Sequence, residues 1–187
     1  MFIRKYFEAI YHDTHDEKIV LLTGARQVGK TTLMRQIQDR LEQDGHETVW
    51  LSLEDPDILR VLDSHPRELL SLIGSRSEKI YVCIDEFQYL RDPSGFLKYH
   101  SDLSGDRVKI IATGSSAFYL DTKFHDSLAG RKWLHEILPL DFSEWLGITG
   151  QEHLVRDTLE VARNTSYMRS GEILRLYEEY ILYGGYP

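Results

Sequence analysis

The turn Gly24-Ala25-Arg26-Gln27-Val28-Gly29-Lys30-Thr31 follows an apolar run, precedes a stretch with helical spacing, and satisfies G-x-x-x-x-G-K-[ST] at every fixed position. Gly24 and Gly29 permit backbone conformations and close approaches that a side chain would block. The N–H groups of Ala25, Arg26, Gln27 and Val28 can therefore turn inward onto phosphate oxygens. The helix that begins near Lys30 adds its positive N-terminal end. In this arrangement Lys30 reaches the β and γ phosphates, the Thr31 hydroxyl ligates Mg²⁺, and Thr32 is the second threonine of the same binding turn.

A cradle binds but does not cut. The run Ile80-Tyr81-Val82-Cys83-Ile84 ends in Asp85-Glu86, two adjacent acids at the end of a buried strand. Asp85 has the position of a metal-holding carboxylate, and Glu86 that of the base that polarises an attacking water. A third apolar run, Val108 to Thr113, ends in Gly114-Ser115-Ser116, and a hydroxyl there would face the γ-phosphate. Ser115 is the first choice for that sensor, with Ser116 and Thr113 as rivals. Arg131 stands immediately before the last apolar run. There it either reaches the phosphates of a neighbouring copy as an arginine finger or makes an ordinary ion pair. Arg26, inside the turn, could supply the same charge in cis.

These groups need a scaffold. Apolar runs rich in β-branched residues occur at Ile19 to Thr23, Thr48 to Leu53, Ile80 to Ile84, Val108 to Thr113 and Trp133 to Leu138, alternating with helical segments. Helices are predicted near Phe2 to Tyr11, Lys30 to Gln43, Asp57 to Asp63, Pro66 to Ile73, Gly95 to Leu103, Phe142 to Leu146, Glu152 to Ala162 and Gly171 to Tyr183. Strands that are apolar at every position, not at every second one, require a parallel sheet covered on both faces. The fold class expected is α/β: a three-layer P-loop NTPase domain with a five-stranded parallel sheet, helices on both faces, and further C-terminal helices. The order 5-1-4-3-2 is implied by likeness to the group of P-loop proteins in which a catalytic glutamate, here Glu86, accompanies an inserted strand. In that order the 108 to 113 strand lies between the phosphate-loop strand and the strand ending in Asp85. Residues 1–150 are expected to form the ATPase domain. Residues 151–187 are expected to be the start of a helical region cut from a longer protein.

The 187 residues and 42% hydrophobic content suit one globular domain, and a net charge of -8 opposes a stand-alone nucleic-acid binder. The single cysteine, Cys83, excludes an internal disulfide and suits a reducing compartment; the N-terminus lacks a signal-peptide pattern, so a cytoplasmic protein without a membrane span is expected. His12 and His15 have helical spacing but no partners to complete a metal site. Trp145 reads as core. The stripe Ile173, Leu176, Tyr177, Tyr180 and Ile181 reads as a packing face.

With these residues assembled, the chain resembles the prokaryotic ATPases of the AAA superfamily whose N-terminal P-loop domain precedes a C-terminal domain of unknown function. The segments that carry the resemblance are TGARQVGKTTL (23–33), IDEFQYL (84–90), ATGSSAF (112–118), SLAGR (127–131), LPLDFSEWL (138–146) and LYGGYP (182–187). The resemblance implies ATP as substrate, Mg²⁺ as cofactor, and functional roles for Lys30, Thr31, Asp85 and Glu86, with weaker transfer to Gln88, Ser115 and Arg131. Ala117 departs from the serine run that relatives often continue. The expected activity is Mg²⁺-dependent ATP hydrolysis coupled to a further domain or partner, with assembly into a homo-oligomer if Arg131 acts in trans. Adenine is preferred over guanine because no Asn-Lys-x-Asp tetrapeptide occurs. The rival readings are a nucleotide-gated switch with slow turnover and a DNA-associated ATPase.

Overall fold

The structure is a computed structural model that describes residues 2–74, 78–103, 107–115, 128–155 and 170–186. Its five strands are β1 (Ile19–Gly24), β2 (Glu47–Ser52), β3 (Ile80–Asp85), β4 (Val108–Ser115) and β5 (Lys132–Glu136). They form one parallel sheet in the order β2-β3-β4-β1-β5. This is the expected order read from the other edge, and β4 does lie between β1 and β3.

Seven helices are described: α1 (Phe7–Asp13), α2 (Lys30–Gln43), α3 (Pro56–Ser64), α4 (Glu68–Ile73), α5 (Pro93–Leu103), α6 (Phe142–Ile148) and α7 (Ser170–Tyr183). Their starts follow local chemistry. Asp55 accepts the Asp57 N–H at 2.8 Å ahead of Pro56, and Asp141 and Glu144 close a reciprocal capping box around the first turn of α6. Gly45, with φ 88°, stops α2 as a residue just beyond the helix end commonly does.

Three local expectations shift. The first helix begins at Phe7 and not Phe2: residues 2–4 have no regular structure, and the Arg4 side chain there is buried with partners outside the helix. Within the segment expected to be helical from Glu152, the described part holds a 3₁₀ turn, Glu152–Leu154; the rest of that helix, together with Ser116, Ala117 and Ser127, lies outside the described residues. Trp145 is half-buried, packed on the edge of a small cluster and not in the main core.

The continuous apolar strands are explained by two cores, one on each face. Ile19, Leu21, Val82, Ile84, Ile110 and Ala112 pack with residues of α3, α4 and α5. Val20, Leu22, Tyr81, Cys83 and Ile111 pack with α1 and α2. Alternate residues along each strand go to opposite faces, so both sets must be apolar. A third, smaller cluster joins Leu146, Leu154 and Leu176, with Phe142 and Trp145 against it. Within the expected packing stripe on α7, Ile173 and Leu176 are buried, whereas Tyr177 and Ile181 are exposed. Among the described residues no helix is long and apolar enough to cross a membrane.

Candidate functional site

All functional groups that β1, β3 and β4 carry at their C-terminal ends converge, as open parallel sheets require. The register sets Gly24 beside Ser115 and Ile84 beside Ala112, so Asp85, the last residue of β3, falls level with Thr113 of β4. Gly24 is required where it stands: its φ is 152°, and a Cβ there would lie 2.2 Å from the Ile137 carbonyl oxygen, where the chain leaving β5 crosses. Past it, Gln27 and Gly29 take positive φ (64° and 90°), the tight curl that turns the loop into α2. No side chain caps Gly29 at the start of α2, so the first N–H groups of the helix have no local acceptor from a cap.

Lys30 is 6% exposed and folds back so that its Nζ donates to the carbonyls of Gly24 (3.0 Å) and Ala25 (2.7 Å). Burial draws its ammonium below the usual lysine range; Glu86 and Asp85 oppose that, and Arg26 adds to it. The Thr31 hydroxyl lies 3.1 Å from both oxygens of Asp85. A hydroxyl and a carboxylate are hard oxygen donors, suited to Mg²⁺, which keeps most of its water and takes few protein ligands.

Asp85 also accepts a hydrogen bond from the Thr113 hydroxyl, and that same hydroxyl oxygen accepts the Glu86 N–H at 3.2 Å. Thr113, a rival in the sequence reading, is thus the β4 hydroxyl wired to both acids. Ser115 takes part through its backbone: its N–H donates to the Gln88 Oε1 at 3.2 Å, while the Gln88 amide nitrogen donates to the Glu86 carboxylate. Glu86 itself sits at φ 56°, in the left-handed region that costs a non-glycine residue on the order of 1–3 kcal/mol. The turn Phe87–Tyr89 that follows, with Phe87 fully buried, holds it there. Cys83, two residues before Asp85, is no rival nucleophile: burial pushes its thiol to about 12.

Of these groups Lys30, Thr31 and Glu86 open onto a polar cavity of about 820 Å³, lined as well by Arg26, Gln27, Gly29, Thr32, Glu54, Tyr89 and Ile148. A second, apolar cavity of about 250 Å³ adjoins it through Gly29, Thr32 and Ile148, and is closed by Phe2, Leu33, Leu140 and the stem of Arg4. Glu54, Tyr89, Ile148, Phe2 and Arg4 were not singled out from the sequence. Glu54 had a usable signal, since it follows the C-terminal end of β2; the others have none at the level of local pattern.

Arg131 is placed elsewhere. It precedes β5, its carbonyl accepts the Ile19 N–H at the start of β1, and its guanidinium pairs with Asp102 of α5 at 3.1 Å. The length of β1, roughly 16 Å at about 3.3 Å per residue, separates it from the phosphate loop of its own chain.

Comparison with known proteins agrees with this geometry. The uncharacterized protein MJ1544 of Methanocaldococcus jannaschii is 29% identical over 170 residues, which are 91% of this chain and 36% of that protein. A Haemophilus influenzae protein is 29% identical over 97% of this chain and 42% of its own length. The chain therefore spans well under half of these relatives. The solved structure of Caenorhabditis elegans PCH-2 superimposes with a TM-score of 0.53 at 17% identity, covering 81% of this chain and 46% of that one, a likeness of fold. Residues 16–146, which run from just before β1 into α6 and so contain all five described strands and the constellation at their C-terminal ends, match the family described as AAA domain, and the chain belongs to that family.

Proposed function

We propose that this chain is a Mg²⁺-dependent ATPase module. The observation that carries the reading is a buried lysine and an uncapped helix start on the floor of a polar cavity, with two strand-end acids wired to threonine hydroxyls beside them. The loop amides and Lys30 grip the polyphosphate, and the Lys30 ammonium exchanges its two loop carbonyls for phosphate oxygens. Thr31 and Asp85 would hold the metal. When bound, the ion neutralises charge on the phosphate oxygens. Glu86 accepts a proton from the attacking water as the β-γ bond breaks, and Thr113 fixes the backbone that aims it. The apolar cavity of Phe2, Leu140 and Ile148 suits a planar base beside the loop. Ser115 is retained as γ-phosphate sensor. Arg131, remote from its own loop, acts on a neighbouring copy if the protein assembles. Residues 1–150 form the ATPase domain, and 151–187 belong to a helical region.

A second reading, a nucleotide-gated switch with slow turnover, is favoured by one contact: the amide of Gln88 already occupies the Glu86 carboxylate. Phosphate release and nucleotide affinity of the wild type, Lys30→Ala and Glu86→Gln decide between them. The ATPase reading expects Lys30→Ala to lose binding and Glu86→Gln to bind normally while turnover falls about 10²-fold or more. Equal phosphate release from all three removes it. Tight binding with wild-type turnover far under ~1 s⁻¹ selects the switch.

A further inference from the structure

The N-terminal segment ahead of α1 contains one side chain whose burial the reaction does not explain. Arg4 is 7% exposed, and its carboxylate partner, Glu144 of α6, is 6% exposed. Its Nε donates to Glu144 Oε1 at 2.8 Å and its Nη2 to Oε2 at 3.3 Å. The same Nη2 donates to the Leu138 carbonyl at 2.8 Å, and Nη1 donates to the Val28 carbonyl at 2.7 Å. Glu144 is completed by the N–H groups of Lys5 and Asp141, both at 3.1 Å. One guanidinium thus joins four parts of the chain: the N-terminal segment, the phosphate loop, the exit from β5 and α6.

We propose that Arg4 is a positioning residue of the nucleotide site, holding the phosphate loop in its binding conformation by pinning the Val28 carbonyl to the buried carboxylate of α6. The proposal rests on the reading of residues 24–31 as a phosphate cradle. Its physical basis is the planarity of the peptide bond: the Val28 carbonyl and the Gly29 N–H belong to one trans unit and point in opposite directions. Fixing the carbonyl toward Arg4 therefore turns the Gly29 N–H away from it. Arg4 borders the apolar cavity, whereas Gly29 borders both the apolar and the polar one. The loop needs this external anchor because Gln27 and Gly29 hold positive φ and Gly29 has no side chain to fix it. Buried ion pairs add little net stability over apolar replacements, so a pair aimed at a loop carbonyl is better explained by the geometry that it imposes.

Two variants of the full chain test this. Arg4→Lys keeps one positive charge beside Glu144, but a single nitrogen cannot span the Val28 and Leu138 carbonyls and both carboxylate oxygens. The double variant Arg4→Met with Glu144→Gln removes both charges and keeps one oxygen acceptor, enough for either the Asp141 or the Lys5 N–H. Hydrogen exchange of the nucleotide-free protein should show residues 25–31 exchanging about tenfold faster or more in the double variant, with β3 unchanged. The dissociation constant for ADP should rise about tenfold or more in both variants, with thermal unfolding still cooperative. Exchange and affinity within about twofold of wild type in Arg4→Lys, which retains the charge pair and so the fold, overturn the proposal. If the wild type binds no ADP, the ATPase reading falls, whereas the exchange arm still decides whether Arg4 orders the loop.

Discussion

The two ends of the sheet each bury a lysine, and they use it differently. At the C-terminal ends, Lys30 bonds two carbonyls of its own loop, borders the large polar cavity and has Asp85 and Glu86 as its nearest negative charges. At the N-terminal ends, Lys109 of β4 has a side chain 1% exposed. It donates to the carbonyls of Asp13 (2.8 Å), Asp16 (2.9 Å) and Lys18, and to the Asp16 carboxylate at 3.2 Å. Around it, Asp13 pairs with His135 at 2.9 Å and Asp16 accepts the Trp133 indole N–H. Lys109 staples the connection between α1 and β1 to the sheet; Lys30 lies at the edge of a space. Backbone conformation separates the two ends as well. The non-glycine residues with positive φ among those described, Gln27 and Glu86, both belong to the upper end. Burial of a lysine thus does not distinguish the two ends; the cavity, the adjacent acids and the positive-φ residues do.

The most direct way to break this contrast is to make the same substitution at both ends. Lys30→Met should abolish nucleotide binding, a loss of about 100-fold or more, yet change stability by no more than about 1 kcal/mol, because water from the cavity can solvate the freed carbonyls. Lys109→Met should cost about 3–5 kcal/mol in urea unfolding, since it strands buried carbonyls and a carboxylate, and leave ADP affinity of the folded protein unaltered. An ADP affinity that falls with Lys109→Met would erase the distinction.

His100 sharpens the comparison from a third place, the core face of α5, where its Nε2 lies 2.9 Å from the Pro66 carbonyl. Burial lowers it from 6.5 to about 4, partly offset by that carbonyl. Below pH 6.5 the unfolded chain binds a proton that the native chain refuses, so this contribution is complete above about 6.5 and is lost as pH falls toward 4. About 2 kcal/mol of stability should disappear between roughly pH 7.5 and pH 5, and His100→Gln should remove that slope. The smallest effect is expected of Thr113→Val at the upper end. Losing one hydroxyl that serves Asp85 and the Glu86 N–H should lower kcat about tenfold with KM nearly constant, as measured by steady-state phosphate release. An unchanged kcat would show that this hydroxyl is as purely structural as the Lys109 staple.

Much of this was legible in the linear chain. The placing of β4 between β1 and β3 followed from likeness to other P-loop proteins, whereas the glycine-lysine loop, the strand-end acids and the parallel sheet follow from local pattern: a fixed glycine-lysine spacing, apolar runs without alternation, and turn residues between them. Such signals span a few residues and reflect backbone geometry, which sequence neighbours control.

What remained hidden depends on groups that meet only after the strands are ordered. The Thr113 hydroxyl meets both acids because the register seats it beside Asp85, and strand pairing, not spacing, sets that register. Nothing near Lys109 in the linear chain announces its role, which arises because the α1–β1 connection folds over it. Arg4 and Glu144, 140 positions apart, gave no local sign of each other. The sequence by itself determined the glycine-lysine loop, the strand-end acids and the elements that carry them. The tertiary structure alone decided which side chains brace them, because a buried charge or hydroxyl takes whatever partner the packing of distant segments brings within about 3 Å.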